Sequence, residues 1–304
     1  MIEIIKPESR EHWISLRRYD VTSTEIAALF GISPYTTEFE LWHRKHGMID
    51  LELEENERMK WGSRLESAIA MGIAEDQGWK IRKMDEYIRD PDLNLGASFD
   101  YAIGDSGILE IKNVDALIFR DGWTLDEDGN LEAPLHIEMQ VQQQLMLSGR
   151  DVLHIGALVG GNRVELIERH PDLAIHDEIK KKARAFWDSV VSGTEPKPDF
   201  IKDAEFIAKL YQYAEPGKVV DASGDDELLM WAMEYRRLGE EIKSAEEVRD
   251  GYRARMLQRI GDAEKVLGAG FTVSAGVVGE AEISYTRKAY RTFRCSWKKQ
   301  KGAT

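Results

Sequence analysis

An α/β fold, with helices packed on a sheet, is predicted by three observations along the chain. Segments whose apolar residues recur at steps of three and four come before and after a block of period-two alternation. That block is cut by strong turn signals, as an antiparallel set of strands would be. A second helical segment then leads into two more strand-like runs, so the order is helix, strands, helix, strands.

Residues 10–46 read as two short helices. Thr22, Ser23 or Thr24 can cap the apolar series Ile26, Ala27, Leu29 and Phe30, which GISPY then breaks. After the acidic stretch LELEENE, residues 59–77 carry the helical pattern Met59, Leu65, Ile69, Ile73, with Gly78 at the expected stop. Residues 79–112 alternate like strands, with turns predicted at RDPDLN and GDSG. LHIEMQVQQQLMLSG, 135–149, is an amphipathic helix closed by Gly149. DVLHIGALV and RVELIER flank a GGN turn and form a hairpin, and residues 172–191 are a further helix.

Past Pro196 and Pro198 the character changes. Leu228, Trp231, Tyr235, Leu238, Ile242, Ala245, Tyr252 and Met256 mark a long helix or helical hairpin with a seam, and Gly251 is a plausible break. Two domains are expected, 1–215 and a helix-plus-β appendage over 226–304. The last 24 residues hold seven Lys/Arg against one acid, Glu282, with Tyr285, Tyr290, Phe293 and Trp297 interleaved. Such a tail suits contact with single-stranded nucleic acid by stacking and charge. The reading slightly preferred is a β-rich cap whose aromatics are core.

Composition narrows the classes. The 304 residues, 42% hydrophobic and 32% charged, describe an ordinary globular chain. No run of apolar residues is long enough to span a bilayer, and the start lacks the pattern of a signal peptide. Cys295 is the single cysteine, which excludes an intrachain disulfide, a CxxC zinc site and a four-cysteine cluster. A reducing cytoplasm is the expected location. The net charge of −14 argues against a surface basic all over, yet leaves nucleic acid open, because binding depends on where positive charge is focused. There is no GxxxxGK[ST] loop, no GxGxxG after a strand and no HExxH. His43 and His46 are expected on a polar helix face.

The chemistry concentrates in ASFDYAIGDSGILEIKN. On a strand, Glu110 and Lys112 share one side, roughly 7 Å apart, while Leu109 and Ile111 anchor the other in the core. The GDSG hairpin can bring Asp100 toward Glu110. Two carboxylates so close repel unless a cation lies between them. Hard oxygen ligands without His or Cys suit Mg²⁺ or Mn²⁺ and phosphate substrates. Lys112 can then orient or deprotonate an attacking water, or stabilise phosphate charge. The bland alternative is a surface Glu110–Lys112 pair worth under about 1 kcal/mol. Glu66 lies in WGSRLESAIA on a helix opened by Gly62. His136, Gln140 and Gln144 share a helix face, of a kind more often simply solvated.

VTSTEIA, WGSRLE, ASFD, LEIK and MQVQ, in this order and spacing, resemble the YqaJ-type viral recombinase family, the group of the lambda exonuclease within the PD-(D/E)XK nuclease superfamily. The resemblance covers roughly residues 10–200. It implies a restriction-endonuclease-like core, a central mixed sheet flanked by helices, with the C-terminal long helix and small β appendage added. It assigns the catalytic set to Glu66, Asp100, Glu110, Lys112 and Gln140. It implies two Mg²⁺ (or Mn²⁺) held around Asp100 and Glu110, with the Ile111 carbonyl as a further ligand. Lys112 would act on the nucleophilic water, with Glu66 and Gln140 supporting the second metal and the water. WISLRRYDVTSTE resembles the family's segment for the 5′-terminal phosphate, with Arg17 and Thr24 at the matching positions; a guanidinium fork and a hydroxyl near a helix start suit that ligand. Phe99 and Tyr101 stand where the family usually has Pro and Gly around the aspartate.

The function so implied is a Mg²⁺-dependent 5′-to-3′ exonuclease on linear double-stranded DNA, leaving 3′ overhangs for strand annealing. A trimeric ring and a phage single-strand annealing protein are the implied partners; in a ring, only the central channel need be basic. Two alternatives stand beside it: a structure-specific or restriction-type endonuclease using the same metal site, and a non-catalytic DNA-binding module.

Overall fold

The structure, a computed structural model, describes residues 1–47, 57–287 and 290–297. The chain divides into two units, Met1–Leu210 and Tyr211–Thr304. LELEEN and the last basic residues lie outside the described residues.

The first unit opens with β1 (Glu3–Ile5) and α1 (Arg10–Arg18), which Ser9 caps by accepting the His12 N–H. β2 (Val21–Thr22) leads to a 3-10 turn, Ile26–Phe30. A hydroxyl cap was expected there. Instead Glu25 precedes the turn without a side-chain cap bond, its carboxylate being engaged by Thr22 and Lys45. α2 (Glu38–Lys45) is capped by Thr37, and α3 (Glu57–Gln77) runs straight through Gly62, which therefore does not open it. His43 is buried rather than on a polar face, because Phe206 packs on its ring and Glu195 lies 2.7 Å from Nε2.

The expected antiparallel set is shared between two sheets. β3 (Ile81–Lys83), β6 (Tyr101–Ile103) and β7 (Gly107–Val114) join β10 (Val152–Val159) and β11 (Arg163–Arg169) in a five-stranded sheet of order β11-β10-β7-β6-β3. β4 (Tyr87–Asp90) and β5 (Leu95–Ser98) instead form a hairpin in a four-stranded sheet of order β1-β4-β5-β2. Asn94 closes their RDPDLN turn with a φ of 48°, a conformation asparagine tolerates well. Phe99 and Asp100 carry the chain from one sheet to the other.

α4 (Ala116–Gly122) and a small ribbon, β8 (Thr124–Leu125) with β9 (Leu131–Glu132), precede α5 (Leu135–Ser148). α5 is the crossover between parallel neighbours β7 and β10 (Val152–Val159). β11 (Arg163–Arg169) returns antiparallel, followed by α6 (Leu173–Ser192) and α7 (Ala204–Leu210). Strand alternation divides β7 cleanly. Leu109 and Ile111 pack with Ile69, Ala70 and Ile73 of α3, while Ile108 belongs to the larger core on the α5 and α6 side. Glu110 and Lys112 share that second face. Gly156 lets α3 approach the sheet: a Cβ there would lie 2.5 Å from Ile73 Cδ1.

The second unit holds α8 (Asp226–Ile260), capped by Asp225, and a hairpin of β12 (Lys265–Gly268) with β13 (Phe271–Ser274). α8 is unbroken at Gly251, since one exposed helical glycine costs only about 1 kcal/mol. Ion pairs one turn apart, Arg236–Glu240 among them, run along its surface. The expected β-rich cap finds no strand among the described residues of 285–301, where Tyr285, Tyr290 and Phe293 are exposed. No helix among the described residues is long and apolar enough to cross a membrane.

Candidate active site

Glu110 lies at the centre of a buried polar cluster. It is 5% exposed, and its Oε1 accepts hydrogen bonds from Lys112 Nζ (2.7 Å) and Gln140 Nε2 (2.6 Å). Its Oε2 accepts from Gln144 Nε2 (2.8 Å), which also donates to the Ser98 carbonyl (3.0 Å). Gln140 and Gln144 are one turn apart on α5 and so aim at the same spot. Lys112 Nζ reaches Gln140 Oε1 at 3.1 Å, closing a triangle of lysine, carboxylate and amide.

Asp100, at the junction of the two sheets, accepts the Ile111 N–H on Oδ2 at 2.7 Å. The N–H and C=O of a strand residue point to the same side, so the Ile111 carbonyl faces this same edge. Burial, and then the neighbouring Glu110 carboxylate, push the Asp100 carboxyl up to about 8. Burial pulls the Lys112 ammonium down, but Glu110 and Asp100 more than offset it and hold it above its ordinary value.

On the α5 face of His136, Gln140 and Gln144, of a kind more often solvated, both glutamines are buried, and so are Gln142 and Gln143 beside them. Gln142 accepts from the Asp172 N–H and meets His176, while Gln143 donates to the carbonyls of Val21 and Gly96 in the other sheet. These amides satisfy backbone groups that two abutting sheets leave over. Gln144, which the catalytic assignment omitted, holds Glu110 as directly as Gln140 does. Its place one turn after Gln140 was the available signal.

Of the other expected residues, Glu66 is ion-paired to Lys83, though its charge is still felt at Asp100. Arg17 and Thr24 are together: an Arg17 terminal nitrogen donates to Thr24 Oγ1 at 3.4 Å and to Thr22 Oγ1 at 3.5 Å. The Arg17 guanidinium lies 4.4 Å over the Trp13 ring. Trp13 Nε1 in turn donates to Ser98 Oγ at 2.9 Å. Ser98 thus links both clusters, its hydroxyl toward Trp13 and its carbonyl toward the amide that clamps Glu110.

Residues 12–151 match the YqaJ-like viral recombinase domain, and the uncharacterized protein YqaJ of Bacillus subtilis (strain 168) is 30% identical over 219 residues, covering 70% of this chain and 67% of that protein. The chain belongs to the YqaJ-like viral recombinase family. Its core is a mixed sheet flanked by helices. Among solved structures, an alkaline exonuclease from Laribacter hongkongensis is similar, with a TM-score of 0.48 and 20% identity, over 65% of this chain and all (100%) of that one. A phage related exonuclease from Haemophilus somnus 129PT gives a TM-score of 0.40 and 12% identity, over 57% and 96% of the two chains.

The donor set of this YqaJ-like chain fits a hard divalent cation. The acceptors are carboxylate and carbonyl oxygens, and Asp100 is raised first by burial and then by the charge of Glu110 beside it. Gln144 Oε1, beside Glu110, is a buried acceptor with no hydrogen-bond partner. No three His, Cys, Asp or Glu side chains converge among the described residues, so water and backbone oxygens would complete the shell, as Mg²⁺ prefers.

Proposed function

We propose that this chain is a Mg²⁺-dependent (or Mn²⁺-dependent) 5′-to-3′ exonuclease that degrades one strand of linear duplex DNA and leaves 3′ overhangs for recombination by strand annealing. The observation that carries the reading is the Glu110 cluster: a buried carboxylate held by one ammonium and two side-chain amides, with the Asp100 carboxylate close enough to feel its charge, in a member of this family.

Asp100 and Glu110, with the Ile111 carbonyl, are the residues that would hold metal. Such ions, when bound, supply an activated water and neutralise charge on a scissile phosphate. Lys112 donates toward the water or the phosphate, and its contact with Gln140 fixes where its N–H groups point. Gln140 and Gln144 keep Glu110 in one rotamer, so little reorganisation is left for the reaction. Glu66, released from Lys83, would support a second ion. Arg17 and Thr24 would receive the 5′-terminal phosphate, and Ser98 ties that receptor to the carboxylates.

The nuclease domain so assigned spans 1–215, with 226–304 as an appendage. A ring-shaped homotrimer, a phage annealing protein as partner and a cytoplasmic location complete the reading. It is tested on linear duplex DNA labelled at either end, with Mg²⁺ or EDTA, beside Lys112→Ala. Metal-dependent release from the 5′ end, abolished by EDTA and in the variant, is expected. Equal cutting of a closed circle would replace the reading with an endonuclease. Tight DNA binding without cleavage would make the chain a binding module.

A further inference from the structure

Lys45 is an unusual residue to find where it is. Its side chain is 0% exposed, and its ammonium donates to Glu25 Oε2 (2.9 Å) and to the Arg17 backbone carbonyl (2.8 Å). Taking two charges out of water costs several kcal/mol each, and their attraction often does no more than recover it. Stability alone is therefore a poor reason for this pair. What surrounds it is more informative.

Glu25 Oε2 accepts three bonds, from Lys45 Nζ, from the Thr22 N–H and from Thr22 Oγ1, all at 2.9 Å. A hydroxyl has one proton, and Thr22 gives its own to Glu25. In the 3.2 Å contact between Thr22 Oγ1 and Thr24 Oγ1, Thr22 is then the acceptor and Thr24 the donor. The two Arg17 bonds to these hydroxyls are long, so its fork is only lightly held. One carboxylate thereby sets the position and proton direction of both threonines, and Lys45 fixes the end of the helix that carries Arg17. The pair also sets the local charge. Glu25 cancels Lys45, and Arg17, lightly bonded to the two hydroxyls and stacked on Trp13, remains as a positive charge with no ion pair among the described residues. Without Lys45, the Glu25 carboxylate, which already feels the Arg17 charge, would lack its cation and would draw the guanidinium to itself.

We infer that the buried Lys45–Glu25 pair is a positioning element for the 5′-end receptor, keeping Arg17 and the Thr24 hydroxyl available to a terminal phosphate by neutralising the carboxylate that would otherwise compete for Arg17. This rests on the exonuclease reading of Arg17 and Thr24 above.

The test uses the full chain with Mg²⁺ on linear duplexes that differ only in a 5′-phosphoryl or a 5′-hydroxyl end. The readout is the ratio of their kcat/KM values, which a merely structural role would not move selectively. Wild type is expected to prefer the phosphoryl end by roughly tenfold or more, the worth of one charge-assisted contact. Lys45→Met should bring the ratio to within about twofold of one, with the loss in KM for the phosphoryl substrate. Glu25→Gln combined with Lys45→Met leaves no stray charge and keeps an acceptor for Thr22, so it should restore the preference to within about threefold of wild type. A folded Lys45→Met that keeps the preference overturns the inference, as does a folded double variant that lacks it. Should Lys45→Met fail to fold by circular dichroism, the double variant decides alone. A wild type that degrades DNA without regard to its 5′ end refutes the receptor itself, and the inference with it. Absence of any degradation refutes the nuclease reading, before a variant is made.

Discussion

Replacing Asp100 by asparagine is expected to stabilise the metal-free protein at neutral pH while removing its activity. Asparagine is isosteric and keeps an oxygen for the Ile111 N–H, so the hydrogen bond at 2.7 Å can survive. What disappears is a carboxyl raised from 3.8 to about 8 by burial and Glu110. A carboxyl whose pKa is higher in the folded state takes up a proton on folding anywhere between those two values. Stability therefore falls as pH rises across that window: there is no penalty below the unfolded value, and the full penalty applies above the folded one. Each unit costs about 1.4 kcal/mol, which sets an upper limit of roughly 4 kcal/mol at pH 7. Asp100 keeps some contact with water, and Lys112 draws its charge, so a net gain of about 2 kcal/mol is expected for Asp100→Asn. Urea denaturation in EDTA at pH 5, 7 and 8.5 measures it, with the difference between variant and wild type isolating this one group. Added Mg²⁺ should stabilise wild type and leave the variant unmoved. A variant less stable than wild type at pH 7, or a difference that does not grow with pH, would refute the reasoning.

Gln144→Leu strips a partner from both Glu110 Oε2 and the Ser98 carbonyl, so a loss of roughly 2 kcal/mol in urea and a ten- to hundredfold weaker Mg²⁺ titration are expected; unchanged metal affinity would show that Gln140 holds Glu110 unaided. Gly96→Ala would set a Cβ 1.9 Å from Tyr87 Oη and 2.8 Å from Asp20 Oδ2, breaking a buried network that also holds Arg89. A cost of about 3 kcal/mol or more in chemical denaturation is expected, and one under about 1 kcal/mol would contradict the packing there. Gly251→Ala, in the open interior of α8, should raise helicity by circular dichroism and stability by about 0.5–1 kcal/mol; a loss would mean that the helix does bend there.

Reading the sequence captured what local physics dictates. The α3 and α5 helices follow from apolar spacing, Gly149 ends α5 in a left-handed conformation as expected, and the alternation in ILEIK put Glu110 and Lys112 on one face. Three matters escaped it, each decided by contacts distant in the chain. Division of one strand block between two sheets depends on what β1 and β2 offer β4 and β5, which no spacing within the block reveals. Burial of Gln142, Gln143 and Gln144 depends on unpaired carbonyls and N–H groups far away, and polar residues at helical spacing look the same whether solvated or buried. His43 and Lys45 were placed by Phe206, Glu195 and Glu25 rather than by their own helix. The tail differs for the opposite reason: interleaved aromatics imitate a strand pattern, yet Tyr285, Tyr290 and Phe293 stay exposed.

The hairpin that joins β6 to β7 forms between neighbours in sequence, whereas α5 reaches Glu110 only when β10 docks alongside β7 across the crossover. Local pairing is fast, and parallel closure over a long connection is slow. A nascent chain therefore carries its two carboxylates well before it carries the amides that lock them. For a chain with the proposed activity, the order of assembly means that a half-made copy has the reactive groups but not the arrangement that lets them work together.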